Sequence, residues 1–227
     1  MKPMQDIAVV GGGVVGAALA LALRQQGFKV HLIERGAGPK PWNPVGYDLR
    51  VYAMAPASAR FLHGLGVWDA ILRGRASPYE VMRIWDDHPA QALRFECSEV
   101  RTPQLGHIVE NDLLLDVLWQ KLDGVTVHRQ CDVAGFTEMP YGVMLSLSDG
   151  RSIDAGLVIA ADGADSRLRE LAGIETTGWA YPQKAIVAHV NTEKPHRRTA
   201  LQRFLPTGPL AFLPLGVSDP AKAPETR

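Results

Sequence analysis

Charge of a single sign is what this sequence lacks most plainly, since 24 Lys and Arg stand against 24 Asp and Glu. A chain so balanced offers no basic face to collect phosphate backbones or anionic lipid, so nucleic acid is not an expected partner. Cysteine is scarce as well. Cys97 and Cys131 lie 34 positions apart with no C-x-x-C and no Cys/His cluster around them. Neither a disulfide scaffold nor a structural zinc site is expected, and a reducing cytoplasm fits best. Long hydrophobic runs are also missing: the most apolar stretch, Ile7 to Leu23, is interrupted by Gly11, Gly12, Gly13 and Gly16. That pattern suits strand, turn and helix rather than one membrane-crossing helix. The opening MKPMQD has none of the design of an export signal.

No HExxH, no paired carboxylate spacing and no GxSxG elbow occurs, so metal catalysis and acyl transfer have no support. Of seven histidines only His107 falls near a candidate site. The five tryptophans (Trp42, Trp68, Trp85, Trp119 and Trp179) read as core and domain-seam fillers. What is present, at 227 residues with 46% hydrophobic and 21% charged residues, is ordinary globular composition for one large domain or two small ones.

The first forty residues carry most of the signal. DIAVV at 6–10 is a β-branched run without polar alternation, the pattern of a strand buried on both faces of a parallel sheet. VVGAALALALRQQ at 14–26 reads as a buried helix with Gly27 as its C-cap, and FKVHLIE at 28–34 reads as a second strand. Between first strand and helix, Gly11-Gly12-Gly13-Val14-Val15-Gly16 fits G-x-G-x-x-G. Gly11 makes the turn, Gly13 lets backbone approach a pyrophosphate, and Gly16 lets the helix pack on the strand. The free N–H groups and positive dipole at the helix start face the phosphates. Glu34, 18 residues past Gly16, ends the second strand where a carboxylate can accept from both ribose hydroxyls of an adenosine. This unit predicts the ADP half of a dinucleotide and by itself does not separate NAD from FAD.

A second signal is LVIAADGADSR at 157–167, a buried strand running into Asp162-Gly163 and then a polar segment before a helix. With GGGVVG, Glu34-Arg35, the DLRVYAMAPASARFLHGLGVWD stretch at 48–69 and ADGADS at 161–166, the chain resembles the class A flavoprotein monooxygenases, whose type member is p-hydroxybenzoate hydroxylase. LGHIVENDLLLDVLW at 105–119 and FLPTGPLAFLPL at 204–215 make it most similar to the ubiquinone-biosynthesis hydroxylases, the 2-polyprenylphenol hydroxylase-like branch.

The resemblance implies an α/β fold, a Rossmann-like FAD-binding domain interleaved with a partial β-sheet substrate domain. It places the FAD-binding parts at 1–77 and 105–178 and the substrate parts at 78–104 and 179–227, with strands over Ala185–Val190 and Leu210–Leu215. The family's Gly-Asp motif of the GDAAH type is not found, and the tail VSDPAKAPETR reads as a broken-off loop. The chain is therefore read as the N-terminal portion of a longer enzyme.

Cofactor residues follow residue by residue. Gly11, Gly12, Gly13, Val14, Val15, Gly16, Glu34 and Arg35 form the ADP site. Arg50 matches a family Arg on the FAD pyrophosphate and is expected at a helix start, where a bound anion would balance its charge. Asn111 opens a helix over Asp112–Leu122, either as its N-cap or as a polar residue near the flavin. Val133 matches the position whose backbone faces the adenine, with plain core as the alternative. Asp162 stands at the carboxyl edge of the sheet, where α/β ligands bind, and can also cap the next helix. No side chain is assigned a catalytic role and no metal is expected.

By the resemblance the full enzyme reduces FAD with NADH or NADPH, reacts it with O2 and passes one oxygen atom from a flavin C4a-hydroperoxide to a polyprenylated phenol. The expected setting is the cytoplasm, peripheral to the inner membrane, with contacts to a ubiquinone-biosynthesis complex or a second copy left open. Another FAD- or NAD-dependent oxidoreductase, and a truncated chain inactive by itself, stand as alternatives.

Overall fold

The architecture comes from a computed structural model that describes residues 6–86 and 88–216; the tail read as a loop, 217–227, lies outside them. Along the chain run β1 (Ile7–Val10), α1 (Val14–Gln25), β2 (Val30–Glu34), β3 (Val51–Met54), α2 (Pro56–Gly64), α3 (Trp68–Arg75), β4 (Ser77–Tyr79), β5 (Val81–Trp85), β6 (Leu93–Glu96) and β7 (Gly106–Glu110). They continue as α4 (Asn111–Trp119), β8 (Thr126–Arg129), β9 (Val133–Met139), β10 (Gly142–Leu147), β11 (Ser152–Ala155), β12 (Leu157–Ala160), α5 (Arg167–Leu171), β13 (Thr199–Leu205) and β14 (Gly208–Phe212).

Two compact units divide the chain. One comprises the residues up to Trp42 with Leu114–Ala185, and the other Asn43–Leu113 with the residues from Ile186 on. The first is built on a parallel sheet of order β12-β1-β2-β8. Its central register pairs Ile7 with Val30 on one side and Leu157 on the other. All four residues of β1 are buried, which explains why IAVV carries no polar alternation. Helix α1 packs on β1 and β2 through its Ala-rich face, with Ala17, Ala20 and Leu21 buried. The antiparallel meander β9-β10-β11 and helix α5 cover the other face, closing a core of Val10, Ile33, Val133, Leu145, Ile153 and Leu168. Each of the larger side chains there contributes about 1.5–3 kcal/mol by leaving water.

The second unit holds an antiparallel sheet of order β3-β7-β4 and a mixed sheet of order β14-β13-β5-β6. Strand β7 lies in the middle of the first and is buried at every residue.

Several expectations are corrected here. Arg50 does not start a helix: Val51–Met54 form β3, paired with β7, and the helix begins at Pro56. A β-branched and aromatic pair, Val51-Tyr52, beside a buried partner strand favours extension, and proline is suited to the first helical turn. Ala185–Val190 forms no strand; Ile186, Val187 and Val190 are exposed and find no partner strand. The second apolar strand lies instead at Thr199–Leu205, paired with β5 and β14. Trp179 is no core filler, being 77% exposed against the edge of Tyr181.

Candidate functional site

In the first unit the turn after β1 is shaped by what its glycines leave room for. Gly11 has φ +102°, and a Cβ there would stand 2.3 Å from the Ala161 carbonyl oxygen, so only glycine fits. A Cβ on Gly16 would stand 1.8 Å from the Gly11 carbonyl oxygen, the signature of a helix pressed onto its strand. Gly12 is held from both sides. Its N–H donates to Glu34 Oε2 at 2.7 Å, and its carbonyl accepts from the Trp119 indole Nε1–H at 2.8 Å.

Gly13 differs from its neighbours, because a Cβ added there would meet nothing within 4 Å. It is the N-cap of α1, offers no side chain to the helix amides, and is followed by a first turn without an acid. Val14 is half-buried and Val15 exposed in that first turn. The N-terminal amides and the positive end of the helix dipole thus open onto free space, which is what an anionic group requires.

Glu34, at the end of β2, also accepts the Gly36 N–H on Oε1 at 2.6 Å. A carboxylate has about four acceptor positions, so each oxygen keeps one for a ribose hydroxyl after binding its amide. Around Glu34 a small cleft of about 70 Å³ is lined by Gly11, Arg35, Asp132, Asp162 and Arg167 among others. Arg35 is exposed at its rim. Val133 is 2% exposed and packs in the core between sheet and meander. Its N–H goes to the Asp132 side chain.

Asp162 follows β12 and caps what comes next. Its Oδ1 accepts from the Ser166 hydroxyl at 2.6 Å and its Oδ2 from the Leu168 N–H at 3.2 Å, while Ser166 Oγ accepts from the Arg169 N–H. Burial pushes the Asp162 carboxyl up, but the Ser166 hydroxyl and surrounding backbone amides outweigh it and hold the group below the usual carboxylate range. The carboxylate is ionised and fixed at the lip of the cleft.

Arg50 and Asn111 belong to the second unit and are brought together there, the Asn111 N–H donating to the Arg50 carbonyl at 2.9 Å. The Asn111 side chain does not serve as the cap of α4. It accepts from the Tyr52 hydroxyl at 3.0 Å, and the Asp112 amide is taken by Asp48 Oδ2 at 3.1 Å. Arg50 itself is exposed. His107 is buried edge-on against Trp68, with ring centroids 5.1 Å apart, and burial lowers its pKa.

Sequence reasoning assigns no site role to Trp119, which it reads as a core or domain-seam filler, nor to Asp48, Tyr52 and Ser166. Only Ser166 carried a signal, as a serine three residues before a backbone amide it caps; the others act across 107, 64 and 59 positions of chain. Among the described residues no group of three or more His, Cys, Asp or Glu is arranged to hold a metal, and no helix is long and apolar enough to cross a membrane.

The donor set of the first unit fits the ADP portion of FAD: an uncapped helix start with space at Gly13, and a fixed carboxylate with free acceptor positions. Comparison with known proteins agrees. The chain is 40% identical to the 3-demethoxyubiquinol 3-hydroxylase of Escherichia coli K12 over 92% of its length and 54% of that protein's. It is 38% identical to the ubiquinone hydroxylase UbiL of Rhodospirillum rubrum, over 92% of this chain and 49% of that one. To the mitochondrial ubiquinone biosynthesis monooxygenase COQ6 of Danio rerio it is 37% identical, over 94% and 48%.

The chain thus spans about half the length of the curated relatives it matches. Among solved structures, Pseudomonas aeruginosa PqsL in complex with 2-aminobenzoylacetate superposes with a TM-score of 0.74 at 22% identity, covering 94% of this chain and 58% of that one. A tetrameric 2-methyl-3-hydroxypyridine-5-carboxylic acid oxygenase gives 0.71 at 19%, covering 95% and 57%. These two show the fold, that of p-hydroxybenzoate hydroxylase-like flavin monooxygenases. Residues 4–206 match the FAD binding domain family, and the chain belongs to it.

Proposed function

We propose that this chain is the cofactor-holding part of an FAD-dependent monooxygenase that hydroxylates a polyprenylated phenol in ubiquinone biosynthesis. The observation that carries the reading is the α1 start: free amides, no capping side chain, open space at Gly13, and Glu34 fixed alongside. The relatives' names, a 3-demethoxyubiquinol 3-hydroxylase and a ubiquinone hydroxylase, supply the substrate class. In this reading residues 1–77 and 105–178 serve the cofactor and 78–104 and 179–227 the substrate.

When bound, FAD supplies the redox chemistry, taking electrons from NADH or NADPH and activating O2. The protein's part is to bind and orient. The α1 amides hold the pyrophosphate and Gly13 allows its close approach. Glu34 accepts from the ribose hydroxyls, and its negative charge disfavours a 2′-phosphate. Val14, Val15 and Arg35 line the approach, Val133 offers backbone toward the adenine, and Asp162 supplies a fixed negative charge at the cleft lip. Arg50 contributes a cation toward the phosphates and Asn111 a polar group toward the flavin. A phenol with an isoprenoid tail reaches the protein from a membrane surface, so peripheral contact belongs to the same reading.

The test supplies the protein with FAD, NADH or NADPH, isotopically labelled O2 and a short-chain prenylated phenol. The reading expects flavin-dependent nicotinamide oxidation and a product carrying one labelled oxygen; oxidation with no oxygen transferred to any phenol would contradict it.

A further inference from the structure

The turn after β1 is made of consecutive glycines, which restrain their own backbone least, so its peptide planes must be fixed by other groups. Three planes in a row are fixed in this way. The Gly11 N–H donates to the Ile33 carbonyl at 2.8 Å, and the Gly12 N–H donates to Glu34 Oε2 at 2.7 Å. The third plane, joining Gly12 to Gly13, is held through its carbonyl, which accepts from the Trp119 indole Nε1–H at 2.8 Å. The first two partners lie on β2, next in sequence to α1, whereas the third comes from the end of α4, 107 positions along the chain.

In a trans peptide the C=O and the N–H that follows it point in opposite directions. The bond from Trp119 therefore turns the Gly12 carbonyl toward the indole and aims the Gly13 N–H the other way. Gly13 is the exposed N-cap of α1, and no acceptor among the described residues takes its N–H. With that plane turned over, the start of α1 would present a carbonyl oxygen in place of a donor and repel the anion that the helix dipole attracts. The indole is itself held. A Cβ on Gly12 would stand 2.6 Å from its Cζ2 and one on Gly38 2.8 Å from its Cζ3, and the Arg129 guanidinium lies 5.0 Å from the ring centroid. All of these groups belong to the first unit.

We infer that Trp119 is a positioning residue of the anion site, its N–H locking the Gly12–Gly13 peptide so that the Gly13 amide faces a bound pyrophosphate. The inference deepens the FAD reading above and rests on it. The indole acts through Gly12.

The test measures the dissociation constants of FAD and of ADP in the wild type, in Trp119→Phe, and with benzothienylalanine placed at position 119. That analogue keeps the shape of the indole and has sulfur where the N–H was. Ile153→Val, in the core between sheet and meander, is the control for lost stability alone, and Gly13→Val is the control for the cofactor site. NMR relaxation dispersion at the Gly13 and Val14 amides without ligand reads the motion of the peptide plane directly.

Both replacements of Trp119 are expected to weaken FAD and ADP about five- to tenfold, the range of one hydrogen bond. They should also add exchange at the Gly13 amide that the wild type lacks, with unchanged far-ultraviolet circular dichroism. Ile153→Val is expected to melt earlier and to bind both ligands as the wild type does. Binding unchanged in the benzothienylalanine protein, or weakened equally in Ile153→Val, overturns the positioning inference and leaves the FAD reading standing. A wild type that binds neither FAD nor ADP overturns the FAD reading and the inference with it.

Discussion

The indole N–H of Trp119 donates to the carbonyl of Gly12 at 2.8 Å, and the same ring occupies the space a Cβ would need at Gly12 and at Gly38. One side chain from the end of α4 thereby braces the dinucleotide turn after β1 and the loop after β2, and Arg129 stacks on it at 5.0 Å. The glycines at 12 and 38 are required by this ring as much as by a ligand. Trp119→Phe keeps most of the ring and loses the hydrogen bond, with an expected cost of about 1 kcal/mol. Trp119→Ala also opens the packing, at up to about 3 kcal/mol for a half-buried aromatic. Thermal melts of the two variants check the order.

Two glycines of the motif separate fold from binding. At Gly13 the backbone is ordinary, with φ −64°, and there is room for a side chain. Gly13→Val is expected to cost no more than about 1 kcal/mol, since valine is a poorer N-cap than glycine, and to lose FAD. At Gly16 a methyl group would collide with the Gly11 carbonyl. Gly16→Ala is expected to destabilise the fold by several kcal/mol, on the order of an overpacked core site. Chemical denaturation beside flavin titration distinguishes the two behaviours.

Ser166 both caps α5 and donates to Asp162. Ser166→Ala is expected to cost about 1 kcal/mol, a drop of about 2–4 °C in melting temperature for a chain of this size. It should also let the Asp162 carboxyl rise toward its usual range, because the hydroxyl bond is the largest influence holding it down. A carboxyl titration followed by NMR reads the second effect directly.

Stability is expected to fall on mild acidification. His128 is lowered from 6.5 by burial first, then by His31 and Arg151, with Asp149 opposing. The geometry fixes the protons. Arg151 Nη1 can only donate, so His128 Nδ1 accepts at 3.2 Å, His128 Nε2–H donates to His31 Nδ1 at 3.1 Å, and His31 Nε2–H donates to Asp6 at 3.3 Å. With Nδ1 accepting from Arg151, the His128 ring is held neutral. A folded pKa below the unfolded one means the contribution is present above about pH 6.5 and is lost as pH falls from there through the folded value. His107 and His196 are displaced in the same direction by burial. The melting temperature should therefore decline between about pH 7 and about pH 5.5, above the carboxylate range, and His128→Gln should flatten part of that slope. A melting temperature that holds or rises across this window would contradict the proton arrangement.

How far the sequence was legible depends on how local each signal is. The β1 turn α1 β2 unit was readable because every determinant lies within thirty residues: a buried strand without alternation, glycines with steric reasons, and a terminal acid. The Asp162 cap was readable for the same reason. Arg50 was assigned the wrong element because its neighbours are extended only by pairing with β7, which lies far along the chain. The Ala185–Val190 run looked like a strand by composition, yet no partner takes it up. The brace from Trp119 to Gly12 was invisible to local reading, since the two stand 107 positions apart.

The central claim is that the first unit is a built FAD site, and a titration of the purified protein with FAD tests it most directly. Flavin absorbance retained after gel filtration and the shift in melting temperature are read together, because a ligand that binds only the folded state must raise its stability. The account predicts one flavin held per chain, a melting temperature that climbs with FAD concentration, and loss of both in Gly13→Val and Glu34→Ala. Absence of retained flavin with no shift, or retention unchanged in both variants, would contradict it.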